Sequence, residues 1–496
     1  MLISEGCFVH PSFFVAFRHI LCYAFLKIYI TREDLMLHSL IGDRQFYRRV
    51  LQIAVPIFLQ NIITNFVSLL DNLMVGQLGT LPMSGVAIVN QLLFVFNLVV
   101  FGVSTGTGIF TAQYFGRNDQ EGVRHTLRFK VLASILFSVL FIAAFALWDD
   151  GLIRLFLTGE GSAADAAGIL DFGKRYLQIM LWGLLPFAIS SAYATTLREC
   201  GETLIPMISS FAAMFCNLIL NYILIFGHLG LPAMGAAGAA VATVISRYLE
   251  LAIVALWAHR HKVKFPFMEG LYRSLRIPGK LMGQMMRKVA PLILNETLWS
   301  IAITFQSQCY STCGLAVVSA LNIVSTINNM ATVAASAIGN TVGILMGQML
   351  GACRPEQEVR SQNRKLMAFA FVAGVVFAAL LASVAGLFPQ FYNTSQAIRD
   401  LSAGMILIMA ITKPFQSYHM SVYYTIRSGG LVLLTMVYDC GFLWFLVVPV
   451  TFLMCHYAPL PFLVIYAVCL STELLKSVFG AFLLRKTRWI KNLTLS

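Results

Sequence analysis

The chain has 496 residues, of which 58% are apolar and only 11% charged, and its mean hydropathy is +0.77. A soluble globular domain carries about 25% charged residues, so that class is excluded and a polytopic membrane protein is expected. A formal net charge of +13 would point a soluble domain toward nucleic acid, but here the basic residues stand in short segments between apolar runs, where they set topology. No nucleic-acid partner is expected; the surrounding phase is the lipid bilayer.

Residues 1–43 read as an N-terminal extension outside the bundle. The apolar stretch from Phe13 to Ile30 is interrupted by Arg18, His19 and Lys27 and lacks a small-residue cleavage site. It fits neither a clean span nor a signal peptide, and Met36 is an alternative start. Apolar runs then recur at 48–77, 84–115, 124–148, 168–197, 203–227, 235–258, 286–312, 316–349, 366–388, 397–426, 430–455 and 459–484. Each is near or above the ~20 residues that cross a bilayer. The expected fold is all-α, with twelve transmembrane helices.

Loop charges orient the spans. Arg44, Arg48 and Arg49 precede the first; Arg117, Arg124, Arg128 and Lys130 follow the second; Arg198 follows the fourth. The linker after the sixth is rich in Lys and Arg, Arg354 to Lys365 follow the eighth, Arg427 the tenth, and Arg485 to Arg488 the twelfth. Alternate loops are neutral or acidic, as at Asp149, Asp150, Glu160 and Asp165. A multi-pass protein of the cell (inner) membrane with both termini cytoplasmic is expected.

The halves repeat. Pro56 and Pro291, Asn61 and Glu296, Asp71 and Gln306, Gly79 and Gly314, Gln113 and Gln348, and Gly116 and Gly351 are all 235 residues apart, while Arg198 and Arg427 are 229 apart. An even number of spans per repeat predicts two six-helix bundles related by a pseudo-two-fold axis along the membrane normal. The expected divisions are an N-lobe at 44–259, a cytoplasmic linker at 260–285, a C-lobe at 286–488 and a tail at 489–496.

Ionisable residues inside apolar spans are costly and are functional candidates by default. Asp71 lies fifteen residues after Pro56, in the outer half of the first helix. Burial penalises a carboxylate's charged form, which suits Asp71 to proton exchange or to holding a cation among neutral oxygens; a static polar contact is the alternative. Asn217 and Asn221 share a helix face in the fifth span, as cation ligands or as interhelical glue. Glu296, in the seventh span, stands near the depth of Lys413 in the tenth, which could be its counter-ion. Arg247 with Glu250, and Glu473 with Lys476, read as self-neutralising i,i+3 pairs. Prolines 56, 186, 291 and 414 interrupt spans, and Pro56 and Pro291 are candidate hinges.

No GxxxxGK[ST] or HExxH motif occurs, and no enzyme activity and no cofactor is expected. Transport would then draw on an ion gradient. The ten cysteines, scattered through apolar runs without a CxxC pair, read as buried thiols rather than a disulfide frame or metal site.

Taken together, AVPIFLQN with LLDNLMVGQLG, TAQYFGRND, TLRECGETLIPM, NLILNYILIFG with GAAGAAVAT, VAPLILNETLWS and IRSGG resemble the multidrug and toxic compound extrusion (MATE) transporters of bacterial type. The resemblance covers roughly residues 44 to 488. It implies export of small cationic amphipathic molecules in exchange for Na⁺ or H⁺ by alternating access, with a monomer as the working unit. It also implies that Asp71 is a coupling residue, that Pro56 is a bend linked to its state, and that Asn217, the position of Asn221 and Thr243 complete a cation site, with Na⁺ held at Asp71, Asn217 and Asn221. Asn221 replaces an acid found in related members, and Gln416 replaces an acid in the tenth helix. A flippase for a lipid-linked precursor, from the same superfamily, is the alternative; a surplus of buried arginines would favour it, and in the sequence only Arg247 lies deep.

Overall fold

The computed structural model describes residues 40–157 and 163–495; of the N-terminal extension expected over 1–43, residues 1–39 lie outside the described residues. The described residues are helical throughout, with no strand among them. The long helices are α1 (Arg44–Gly76), α2 (Thr80–Gly116), α3 (Gln120–Arg154), α4 (Ala163–Glu199), α5 (Leu204–Phe226), α6 (Ala236–Arg260), α7 (Gly279–Ser311), α8 (Leu315–Gly351), α9 (Glu356–Val384), α10 (Gln396–Ser428), α11 (Val432–Tyr457) and α12 (Phe462–Lys486). Ten are long and apolar enough to cross a membrane, which makes the chain a multi-pass membrane protein. The other two, α7 and α10, are equally extended but diluted by polar residues, among them Arg287, Lys288 and Glu296 in one and Lys413, Gln416 and His419 in the other.

Local chemistry explains the boundaries. Asp43 caps α1 by accepting the Phe46 N–H at 2.8 Å. Gly79 and Gly314, at φ 106° and 121°, turn the chain into α2 and α8 through a region that disfavours side chains. Pro56 lies inside α1 and has no N–H to give Gln52, four residues back. The Thr203 hydroxyl donates to that Gln52 carbonyl instead, at 2.9 Å, so the proline's missing bond is supplied from the loop before α5.

Packing follows one pattern twice. α1 packs on α5, α2 on α3 and α4, α4 on α3 and α6, and α5 on α6; six helices later α7 packs on α11, α8 on α9 and α10, α10 on α9 and α12, and α11 on α12. Between these sets, α1 meets α8 and α7 meets α2. The bounds of α1 and α7, and those of α2 and α8, differ by 235 at both ends.

Two segments outside the expected lobes, the linker and the tail, are docked at the basic end of the bundle, where α2 and α8 finish. In the linker, Phe265, Phe267, Met268 and Leu271 are buried against Val123, Leu127 and Tyr193; each large side chain withdrawn from water contributes about 1.5–3 kcal/mol. Arg128 and Arg124 of α3 hold its carbonyls, Arg128 through Leu271 and Gly270 at 2.8 and 2.9 Å. In the tail, Trp489 is buried and Gln113 of α2 donates to the Lys491 carbonyl while accepting the Leu493 N–H. Asn492 donates to the Leu350 and Gly351 carbonyls of α8. The tail therefore bridges the ends of α2 and α8.

Candidate functional site

α1, α5 and α6 bring the first candidate group together. The Asn221 amide nitrogen donates to Asp71 Oδ1 at 2.5 Å and to Asn217 Oδ1 at 3.1 Å, and Asn217 Nδ2 donates to Thr243 Oγ1 at 3.3 Å. Helical spacing aligns the two asparagines on one face of α5, and Thr243 is anchored on its own helix through the Ala239 carbonyl at 3.0 Å. Asn217 and Asn221 are buried. Arg247 is the basic group within electrostatic reach of Asp71.

One atom in this group is out of balance: Asn221 Oδ1 is buried and accepts no hydrogen bond. An amide carries two donors and an acceptor, and a half-turn about its last bond exchanges them. Oδ1 would then stand beside Asp71 and Asn217 Oδ1, giving convergent oxygens suited to Na⁺, or an acceptor for a protonated Asp71. The donor set holds one carboxylate, and among the described residues no cluster of three His, Cys, Asp or Glu side chains could hold a metal.

The second half is wired differently from expectation. Glu296 and Lys413 are not partners: Lys413 Nζ donates to Asn328 Oδ1 at 2.7 Å and to Gln416 Oε1 at 2.8 Å. Gln416 is thus a ligand of the lysine. Glu296 has Asp439 and Arg427 as its charged neighbours. The i,i+3 pairs are also not made. Lys476 bonds Asp439 at 2.8 Å, which Asn295 also holds at 3.3 Å, and Glu473 bonds His419. Arg247 donates to the Gly183 carbonyl and lies over the Phe187 ring, while Glu250 accepts from Ser210 at 2.6 Å. Residues three apart on one helix point outward together, and a neighbouring helix offers the better-directed partner. Asp439 stands in a π-helical turn, Val437–Gly441, a register break that re-aims side chains.

Between the two sets of helices lies a cavity of about 430 Å³, with walls from α1, α2, α4, α5, α6, α8 and α10. Its lining includes Gln60, Asn61, Arg198, Glu199, Glu250 and Arg427. Arg198 and Arg427, expected in loops, instead end α4 and α10 and face this space. Lys130, also expected in a loop, is fully buried in α3 and pairs with Glu199 at 2.6 Å, with a further bond to Thr196. The 124–148 apolar run already contained Lys130, which was the available signal; its partner 69 residues away left none. The eight cysteines among the described residues are free thiols.

The family model described as MatE matches residues 56–223 and 291–453. A probable multidrug resistance protein NorM of Thermotoga maritima is 22% identical over 480 residues, covering 96% of this chain and 98% of its own length. Another of that name, from Halalkalibacterium halodurans, is 26% identical over 420 residues, covering 83% and 88%. Among solved structures, one described as MATE in complex with MaD3S superposes with a TM-score of 0.79 at 16% identity, covering 90% of this chain and 96% of the other.

Proposed function

The chain belongs to the MatE family of transporters, and from that premise we propose that it is a secondary active multidrug efflux antiporter, exporting small cationic amphipathic molecules in exchange for Na⁺ or H⁺. The observation that carries this reading is the group Asp71, Asn221, Asn217 and Thr243: a carboxylate within an apolar span, tied to neutral oxygen and amide groups, beside a buried carbonyl oxygen left without a donor. An ion or proton taken up there changes the charge of the first half. It also removes the reason for the Asn221 amide to face Asp71, so α1 and α5 can rearrange. Pro56 and Pro291 are the proposed hinges, at matching places in α1 and α7.

In this reading the two packing sets are lobes, 44–259 and 286–488, related by a pseudo-two-fold axis along the membrane normal, and all twelve long helices span. The basic end is cytoplasmic by the positive-inside rule, which places both termini there in a cell (inner) membrane protein that works as a monomer. No chemistry on a cofactor is required, since the gradient supplies ~2.3 kcal/mol per charge per 100 mV. The deciding experiment is dye efflux from everted vesicles under imposed Na⁺ or H⁺ gradients, wild type against Asp71→Asn. Gradient-driven efflux retained in full by the variant would remove Asp71 from coupling.

The flippase reading gains support from one observation. Arg427 is buried and, with Arg198, faces the cavity, so deep basic groups are more numerous than the Arg247 that the sequence marks.

A further inference from the structure

Arg198 and Arg427 hold equivalent places at the ends of α4 and α10, one in each half, and both line the same cavity. Arg427 is 4% exposed. Among the described residues no hydrogen bond or ion pair reaches either guanidinium, and the buried Arg198 Nε and Arg427 Nη1 are without an acceptor. Arg427 is fixed by packing instead, with its guanidinium carbon 5.3 Å from the centre of the Tyr424 ring and 5.8 Å from that of Tyr423. Those rings orient it without using its donors.

The acids nearby are committed elsewhere. Glu199 is held by Lys130 at 2.6 Å and lies against Gly108 of α2, where no side chain fits. Glu250 accepts the Ser210 hydroxyl, which is itself held by Gln60. Glu296 reaches Arg427 only through space. A guanidinium presents up to five donors in a rigid fork matched to carboxylate and phosphate oxygens, and leaving a buried charged donor unpaired is costly. Two such forks facing one cavity of about 430 Å³ form a receptor for an oxyanion on a molecule whose apolar part fills the remainder.

We propose that Arg198 and Arg427 bind an anionic group, a carboxylate or phosphate monoester, on an amphipathic substrate in the central cavity. This rests on the transport reading above and widens its substrate class: molecules carrying an anionic group, zwitterions included, are accepted alongside purely cationic ones. The two arginines offer their donors to that cavity from opposite halves of the chain.

The test is equilibrium binding to the purified full chain in nanodiscs, using rhodamine 110, which has a free carboxylate, and rhodamine 123, its methyl ester. The expected result is that the rhodamine 110 to rhodamine 123 affinity ratio falls tenfold or more in Arg427→Gln and in Arg198→Gln. Arg427→Lys, which keeps the charge and loses the fork, should fall between, and thermal melting of each variant verifies folding. An unchanged ratio in the glutamine variants, or a wild type that binds no rhodamine 110, overturns the proposal. Competition by farnesyl phosphate against farnesol separates the sources. Displacement of rhodamine 110 by the phosphate alone assigns the site to lipid headgroups as well, and no displacement by either assigns it to small carboxylates; both keep the anion site. Gradient-driven efflux of rhodamine 123 tests the transport reading apart from this: a chain that binds rhodamine 110 with the expected arginine dependence yet exports neither dye loses that reading and keeps the site.

Discussion

Gly116 lies so close under the backbone carbonyl of Gln348 that a methyl group on its Cα would collide with that oxygen, and Gly351 meets the carbonyl of Gln113 in the same way. These are two pairs 235 residues apart, so the contact between α2 and α8 is reciprocal. The glutamines act across it as well: Gln113 donates to the Ser428 carbonyl at 2.8 Å, and Gln348 to the Glu199 carbonyl at 2.8 Å. Each half thereby grips the residue next to the other half's cavity arginine, and the basic end of the cavity is closed.

That closure can be locked. A Cβ on Gly347 would stand 2.8 Å from the Ala112 Cβ, within about an ångström of the spacing a disulfide bridges. Ala112→Cys with Gly347→Cys should form a disulfide under mild oxidation, and dye efflux should stop and return on reduction. Efficient cross-linking that leaves efflux untouched would show that α2 and α8 need not part during transport.

Asn221→Asp adds a second carboxylate beside Asp71. With two acids around one cation position, Na⁺ dependence of efflux should steepen in everted vesicles, while Asn221→Leu should leave Asp71 without its donor and abolish coupling. Identical ion dependence in wild type and Asn221→Asp would separate this site from ion choice.

The Lys130–Glu199 pair is closed on the lysine side, which is wholly buried. Removing one partner strands a buried charge, at a cost of about 3–5 kcal/mol. Lys130→Met should therefore lower the melting temperature in detergent sharply. Adding Glu199→Gln should recover part of the loss, and a double variant no more stable than the single would argue against direct pairing.

Gln113 holds the tail through the Lys491 carbonyl and the Leu493 N–H, at 3.1 and 2.7 Å. Two bonds worth about 0.5–1.5 kcal/mol each make Gln113→Ala expected to raise tryptic cleavage at Lys491 roughly tenfold, given about 1.4 kcal/mol per factor of ten. Mass spectrometry of the released peptide measures it. A cleavage rate equal to wild type would mean that Trp489 and Asn492 alone retain the tail.

Hydropathy alone marked the helices, because a span must satisfy its own backbone and bury or bathe every side chain in lipid. The repeat was equally visible, since helix bounds and turn glycines such as Gly79 and Gly314 recur at one offset. Asn217 and Asn221 were legible as a pair through their four-residue spacing, and Asp71 as an isolated acid. Partner choice was not legible. Lys413 turned to Asn328 and Gln416 rather than Glu296, and Lys476 to Asp439 rather than Glu473. Arg198, Arg427 and Lys130 were counted as loop charges because a linear sequence places a residue along a helix but not around it, nor against which neighbour. Only the crossing of the helices decided that two arginines 229 residues apart face one cavity with their donors unused.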